Sequence, residues 1–204
     1  NNAIENKKAS NNWNIFPSMT YRVLSYLCST EFARYLSEAI DETLYPDIGL
    51  HGGGWHIHSN GGNLNPHLDY SIHPKLKLQR KLNLIVYLSK SMTQEMGGEF
   101  GLWADDNHSP GELIRSVAPL FNRAVIFDTT QNSWHGMVTP VEAPPMVFRK
   151  SLAVYYLCGV SESADPHERA LFSPRLNQKG DKDIEQLILD RNDLRKSSSV
   201  YRDG

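Results

Sequence analysis

Between Gly49 and Leu157 the apolar residues come in short runs bounded by Gly, Asn and Pro: GLHGGGWHI, SNGGNLNP, KLNLIVYL, GGEFGLWA, NRAVIFDT, SWHGMVTP and MVFRKSLAVYYL. Short strands at that spacing, with no helical period among them, predict an antiparallel β-sandwich or barrel. Upstream, YRVLSY at 21–26 alternates and predicts a strand. After it Ser29 or Thr30 caps a helix on which Phe32, Tyr35, Leu36, Ala39 and Ile40 recur at 3.6-residue spacing. Downstream, Asp181 or Asp183 caps a helix with Ile184, Leu187, Ile188 and Leu194 on one stripe. Residues 1–12 hold five Asn with Lys7, Lys8 and almost no large apolar group, too little to offset the entropy of ordering. The expected organisation is a flexible arm over 1–17, a β domain over 18–160, and a C-terminal extension over 161–204 with one helix packed on the same domain. Within that extension HERALFSPR (167–175) carries no assignable chemistry and reads as packing or an oligomer contact.

Composition narrows the class. The chain of 204 residues is 40% hydrophobic and 22% charged, the usage of a globular protein large enough to bury a core. Lys and Arg number 21 against 23 Asp and Glu, so the basic excess of a nucleic-acid binder is missing and no such partner is expected. No apolar stretch reaches spanning length, so no membrane partner is expected either. Two cysteines, Cys28 and Cys158, make no disulfide framework, which favours a reducing, cytoplasmic setting.

Against that background a few polar positions stand out. His67 and Asp69 in NPHLDY are two apart, so on an extended chain both side chains leave one face. His135 opens another predicted strand 68 residues later. Two imidazoles and one carboxylate suit a non-haem Fe(II) centre with coordination positions left open for chemistry. In VFRKSLAVYY, Arg149, Ser151, Ala153 and Tyr155 share a face opposite Phe148, Lys150 and Leu152. An inward guanidinium needs an anion: either an internal carboxylate such as Glu99 or Asp128, or a small dicarboxylate gripped by the planar fork with help from the Ser151 hydroxyl. RKLNLIVYL divides Leu82, Leu84, Val86 and Leu88 from Asn83, Ile85 and Tyr87, and a polar face on a central strand implies a lined cavity. Tyr87 is then either an amphipathic core residue or a donor to the same anion. Trp55, His58 and Asn65 precede the metal motif while Trp103 and Trp134 lie near other strand ends. These five are the candidates for the substrate mouth, with core packing the competing reading for the tryptophans. His56 and His58 also form a His-x-His pair, but no carboxylate spacing follows it. Gly52 to Gly54 and Gly61 to Gly62 lack the pattern of a phosphate loop and mark turns or a lid.

The ordered set HLD (67–69), RKLNLIVYLS (80–89), GGEFGLW (97–103), NRAVIFD (122–128), SWHG (133–136) and RKSLAVYY (149–156) resembles the Fe(II)- and 2-oxoglutarate-dependent dioxygenase superfamily, in its prolyl-4-hydroxylase-like branch, over about residues 20–160. The resemblance implies a mainly β fold with flanking helices, a double-stranded β-helix of the cupin-like jelly-roll kind. It implies iron held by His67, Asp69 and His135, and 2-oxoglutarate held by Arg149 with Ser151, Tyr87 and Asn83. The implied reaction takes dioxygen, decarboxylates 2-oxoglutarate to succinate and hydroxylates an unactivated C–H bond of a peptidyl, prolyl-type substrate or a small polar one. Competing classes are a jelly-roll binding module without turnover and a cupin-type metal enzyme that does not use 2-oxoglutarate. Arg149 follows His135 at a longer interval than is usual in the family, through a stretch holding Pro140, Pro144 and Pro145 that predicts a loop. Tyr155 stands where the nucleic-acid-demethylating branch has a second Arg, and Asp69 is present where halogenating members have a small residue.

Overall fold

The computed structural model describes residues 2–130, 132–162, 164, 169–193 and 195–196; Leu194 and His167 of the readings above lie outside the described residues. In chain order the elements are β1 (Glu5–Asn6), β2 (Lys8–Ser10), α1 (Ser18–Leu27), α2 (Thr30–Ile40), β3 (Tyr45–Pro46), β4 (Gly54–His58), β5 (Asn63–Leu64), β6 (His67–Leu68) and β7 (Gln79–Tyr87). They continue with β8 (Phe100–Asp105), β9 (Pro110–Val117), β10 (Ala124–Asp128), β11 (Trp134–Met137), β12 (Arg149–Cys158), β13 (Leu171–Phe172) and α3 (Lys182–Asn192).

One antiparallel sheet runs β10, β7, β12, β4, β2, with β3 also paired to β12; the other runs β13, β6, β11, β8, β9. This is the jelly-roll arrangement expected of a double-stranded β-helix, mainly β with helices at its flank. Strand alternation sorts the side chains. Leu82 and Leu84 of β7 with Leu152, Val154 and Tyr156 of β12 form one buried cluster with Leu24 and Leu27 of α1 and Ala33 and Leu36 of α2, so the helices cover the outer face of the first sheet. Asn83, Ile85, Tyr87, Arg149, Ser151, Ala153 and Tyr155 are left facing the second sheet, where Tyr87 packs with Phe100 and Phe127. Ser29 caps α2 by accepting from the Phe32 amide at 3.1 Å.

Three expectations need correction. YRVLSY is part of helix α1, not a strand: Thr20, Leu24 and Leu27 are its buried positions, a helical spacing that overrides the local alternation. Residues 1–17 are not a free arm. β2 pairs with β4, β1 pairs with β5, and Ile4 is fully buried with Phe172 and Ile188. Backbone pairing does not need apolar side chains, which is why an Asn-rich segment can close a sheet edge. Gly54 makes this approach possible: its φ is +84°, and a Cβ there would stand 2.3 Å from the Ser10 carbonyl oxygen. Gly52 lies in a turn, as one of the two readings has it, but the run leads into the paired strand β4 at Gly54 and is not a lid. The loop from 138 to 148 is tied down, with Val141 and Ala143 buried against Met92 and Met137. α3, capped by Asp181, lays Ile184, Leu187 and Ile188 against Phe172 and Ile4. Among the described residues, no helix is long and apolar enough to cross a membrane.

Candidate active site

Strand pairing brings the three metal candidates together. His67 of β6 is the register partner of His135 of β11, which puts the two imidazoles side by side, ring centroids 4.3 Å apart. Asp69, just beyond β6, turns its carboxylate to both: His67 Nε2 is 3.8 Å from Oδ1 and His135 Nε2 is 3.5 Å from Oδ2. One ligand atom from each residue lies within 4.8 Å of the others, and all three side chains are buried.

The rings are oriented for a metal. His67 Nδ1 is 2.9 Å from the Asn65 carbonyl oxygen, and His135 Nδ1 is 2.9 Å from that of Ser133. A carbonyl only accepts, so each Nδ1 carries the proton and each Nε2 presents a lone pair to the shared space. Burial, reinforced by His135, pushes the His67 pKa down to about 3, so the ring is neutral at physiological pH. Burial opposes ionisation of Asp69, but His135, Arg80 and His67 outweigh it and hold the carboxyl well below its ordinary range. Two imidazoles and an ionised carboxylate on one side of a cavity form a donor set that fits Fe(II).

The cavity beside them has a volume of about 780 Å³. Asn83, Ile85, Ala153 and Tyr155 form its inner wall, Phe172 and Leu64 an apolar side, and the exposed Pro74 and Lys77 part of its rim. Buried Asn83 Oδ1 has no hydrogen-bond partner among the described residues. The wall reaches His56, the register partner of Ser151, and stops one row short of Arg149, the partner of His58. His56 is kept neutral, its pKa pushed to about 3 by burial and then by Lys7 and Arg149.

Arg149, Ser151 and Tyr87 sit together where the strand faces predict. Arg149 is buried; Nε donates to the Gly98 carbonyl at 2.7 Å, while the terminal nitrogens make only long contacts, 3.4 Å to Tyr87 Oη and 3.5 Å to His58 Nδ1. Neither internal carboxylate forms an ion pair with it among the described residues: Glu99 acts on it only through space and accepts from Thr139, and Asp128 pairs with Lys81 at 2.7 Å. The buried guanidinium is thus in no ion pair among the described residues, an arrangement that is costly unless charge is supplied to it.

The substrate candidates are not gathered. None of Trp55, His58, Asn65, Trp103 and Trp134 lines this cavity. Trp55 packs on the outer core. Asn65 is buried in a network with Asn63, Ser173 and Gln178. Trp134 is buried and donates from Nε1 to Asp105 at 2.8 Å, with Trp103 opposite it in register. His58 lies against Arg149. The fold instead brings His51, Tyr70 and Arg80 to the cavity, residues that alternation alone does not single out. Tyr155, on the predicted inward face, donates from its hydroxyl to Asp69 Oδ2 at 2.9 Å.

A jelly roll with a His-x-Asp…His cluster between its sheets defines a class: mononuclear non-haem metal proteins with coordination positions open to small molecules. Residues 53–157 match the family model described as the 2OG-Fe(II) oxygenase superfamily, and the chain belongs to that superfamily. Fe(II), 2-oxoglutarate and dioxygen are the cofactor and co-substrates that this membership carries. Among solved structures, a prolyl 4-hydroxylase from Phytophthora capsici shares the fold at TM-score 0.50 and 17% identity, covering 91% of this chain and 57% of that one. A Pseudomonas putida prolyl-4-hydroxylase aligns at TM-score 0.45 and 17% identity, over 71% and 66% of the two chains. A viral collagen prolyl hydroxylase from Paramecium Bursaria Chlorella virus-1, in a 2OG complex, aligns at 0.46 and 14%, over 72% and 76%. The chain thus spans 57% to 76% of the length of these structures, and less than two thirds of the first two. Among curated proteins none matches the chain.

Proposed function

We propose that His67, Asp69 and His135 hold the iron, that Arg149 with Ser151, Tyr87 and Asn83 takes 2-oxoglutarate, and that the enzyme hydroxylates an unactivated C–H bond of a peptidyl, prolyl-type substrate or a small polar one. The observation that carries this reading is the buried Arg149, in no ion pair among the described residues, on the inward face of one sheet while a preassembled His-Asp-His cluster stands on the other. A binding module has no use for both. When bound, iron with 2-oxoglutarate and dioxygen supplies oxygen insertion: substrate C–H, dioxygen and 2-oxoglutarate become the alcohol, succinate and carbon dioxide.

The residues supply orientation and a dry enclosure. Carbonyl contacts from Asn65 and Ser133 lock the two imidazoles. Asp69 stays ionised, so the triad offers one carboxylate and two imidazole donors. Arg149 fixes the far carboxylate of the dianion, Ser151 and Tyr87 add hydroxyl donors beside it, and Asn83 contributes an amide at the cavity end of that row. For the dianion to reach from the cluster to Arg149, the His56 ring that closes the cavity on that row has to give way. Ile85, Leu64 and Phe172 give the cavity an apolar side beside the cluster. The prolyl-type substrate comes from the resemblance to prolyl 4-hydroxylases; the open rim at Pro74 and Lys77 suits an extended peptide or a polar metabolite.

The test is aerobic incubation with Fe(II), 2-oxoglutarate and a panel of prolyl peptides and polar metabolites, with succinate assayed and products weighed. The proposal expects succinate matched by a mass gain of one oxygen. Substrate oxidation without 2-oxoglutarate would select the cupin-type enzyme, and neither product would leave the binding module.

A further inference from the structure

The geometry points to Arg80 as a positioning residue for the metal-binding carboxylate, an inference that rests on the iron-binding reading of His67, Asp69 and His135. Arg80 is 2% exposed, and its guanidinium is sandwiched between two aromatic rings, with Cζ 3.5 Å from the centroid of Tyr70 and 3.5 Å from that of Tyr155. Nη1 lies 3.4 Å from Asp69 Oδ1, while Nη2 donates to Tyr70 Oη and to the His51 carbonyl. The other carboxylate oxygen, Oδ2, accepts from Tyr155 at 2.9 Å. Asp69 is therefore held at both oxygens, by a cation on one side and by the hydroxyl of one of the rings clamping that cation on the other. Gly52 leaves the room this needs, since a Cβ there would stand 2.8 Å from Arg80 Nη2.

The backbone shows how Arg80 arrives there. From Tyr87 back to Leu82 the register with β12 is regular, but it shifts between Tyr156 and Leu157, so Leu157 pairs with Arg80 and Lys81 is the extra residue. A bulge re-aims the side chains beyond it. Strict alternation would put Arg80 with Leu82 and Leu84 under the helices; the bulge turns it to the metal side.

Two consequences follow for the metal. The guanidinium, at Asp69 Oδ1, fixes the carboxylate's rotamer, which favours binding. It also withdraws electron density from a ligand oxygen, which alters the field felt by the ion. Residues that hold a ligand in this way change affinity by about 10- to 100-fold when removed.

The test compares wild type with Arg80→Met, which keeps an unbranched stem between the rings, and Arg80→Lys, which keeps the charge without the fork. Mn(II) affinity is measured by electron paramagnetic resonance on the full chain, and the visible absorption of the Co(II)-loaded protein reports ligand geometry. Arg80→Met is expected to weaken Mn(II) at least 10-fold and to shift the Co(II) bands, with Arg80→Lys recovering part of both. Wild-type Mn(II) affinity and unchanged Co(II) bands in Arg80→Met would overturn the inference. If Arg80→Met does not fold, Arg80→Lys decides: a weaker Mn(II) site with altered bands supports the role, and an unaltered one removes it. Failure of wild type itself to bind Mn(II) would instead sink the triad.

Discussion

Asp69 is where opposing electrostatic effects meet. Burial alone would favour its neutral form, yet two imidazoles, the Arg80 guanidinium and the Tyr155 hydroxyl converge on it, and the charged form wins. Asp69→Ala should therefore abolish Fe(II) binding while leaving the fold intact, measured by metal content after reconstitution. Arg149→Lys keeps a charge but loses the planar fork; losing one charge-assisted hydrogen bond, roughly 1.5–3 kcal/mol, should raise the apparent KM for 2-oxoglutarate about 10- to 100-fold, read by succinate release. An unchanged KM would remove Arg149 from the role. His67, Asp69, His135 and Arg149 are legible in the chain because polar residues at fixed parity on strands announce their direction. Arg80 is not, because the bulge at Lys81 reverses parity just before it. The tryptophans misled for a different reason: a large ring near a strand end fits a mouth and a core equally well, and only packing separates the two.

Elements at the edge of the sheets carry the next layer of the account. β1 and β2 extend the enclosure, and Ile4, fully buried against Phe172 and Ile188, ties the N-terminal segment to α3 and β13. Ile4→Ala should cost about 2–5 kcal/mol, seen as a lower unfolding midpoint in denaturant. It should also loosen the wall that carries Glu5 and Lys7 to the cavity. A wild-type midpoint would show that the segment contributes nothing to the fold. This part was illegible because a lone isoleucine among asparagines has the composition of a disordered tail, while the backbone pairing that orders it leaves no mark in residue type. The six alternating residues of YRVLSY span too little of helix α1 to show its period; Thr20, Leu24 and Leu27 show it over the longer segment.

At the scale of the whole molecule, the jelly roll encloses imidazoles that it keeps neutral. His58 and His67 are buried, both with pKa values driven down by burial, His67 to about 3. The unfolded chain takes up protons near the ordinary imidazole value of about 6.5 and the folded chain does not. Their contribution is complete above that pH and is lost as pH falls through the window toward 3, each histidine adding a slope of up to about 1.4 kcal/mol per pH unit. The melting temperature of the metal-free protein should thus fall steadily below pH 6.5, whereas a flat profile down to pH 4.5 would contradict the burial argument. The overall architecture was legible because alternating runs and turn residues encode strands directly, and their faces followed from period two. The measurement that bears most directly on the central claim is an anaerobic titration of the protein and 2-oxoglutarate with Fe(II), followed by visible absorption. The account predicts a charge-transfer band that saturates with iron in wild type and is absent in Asp69→Ala; no band in wild type, or an equal one in Asp69→Ala, would contradict it.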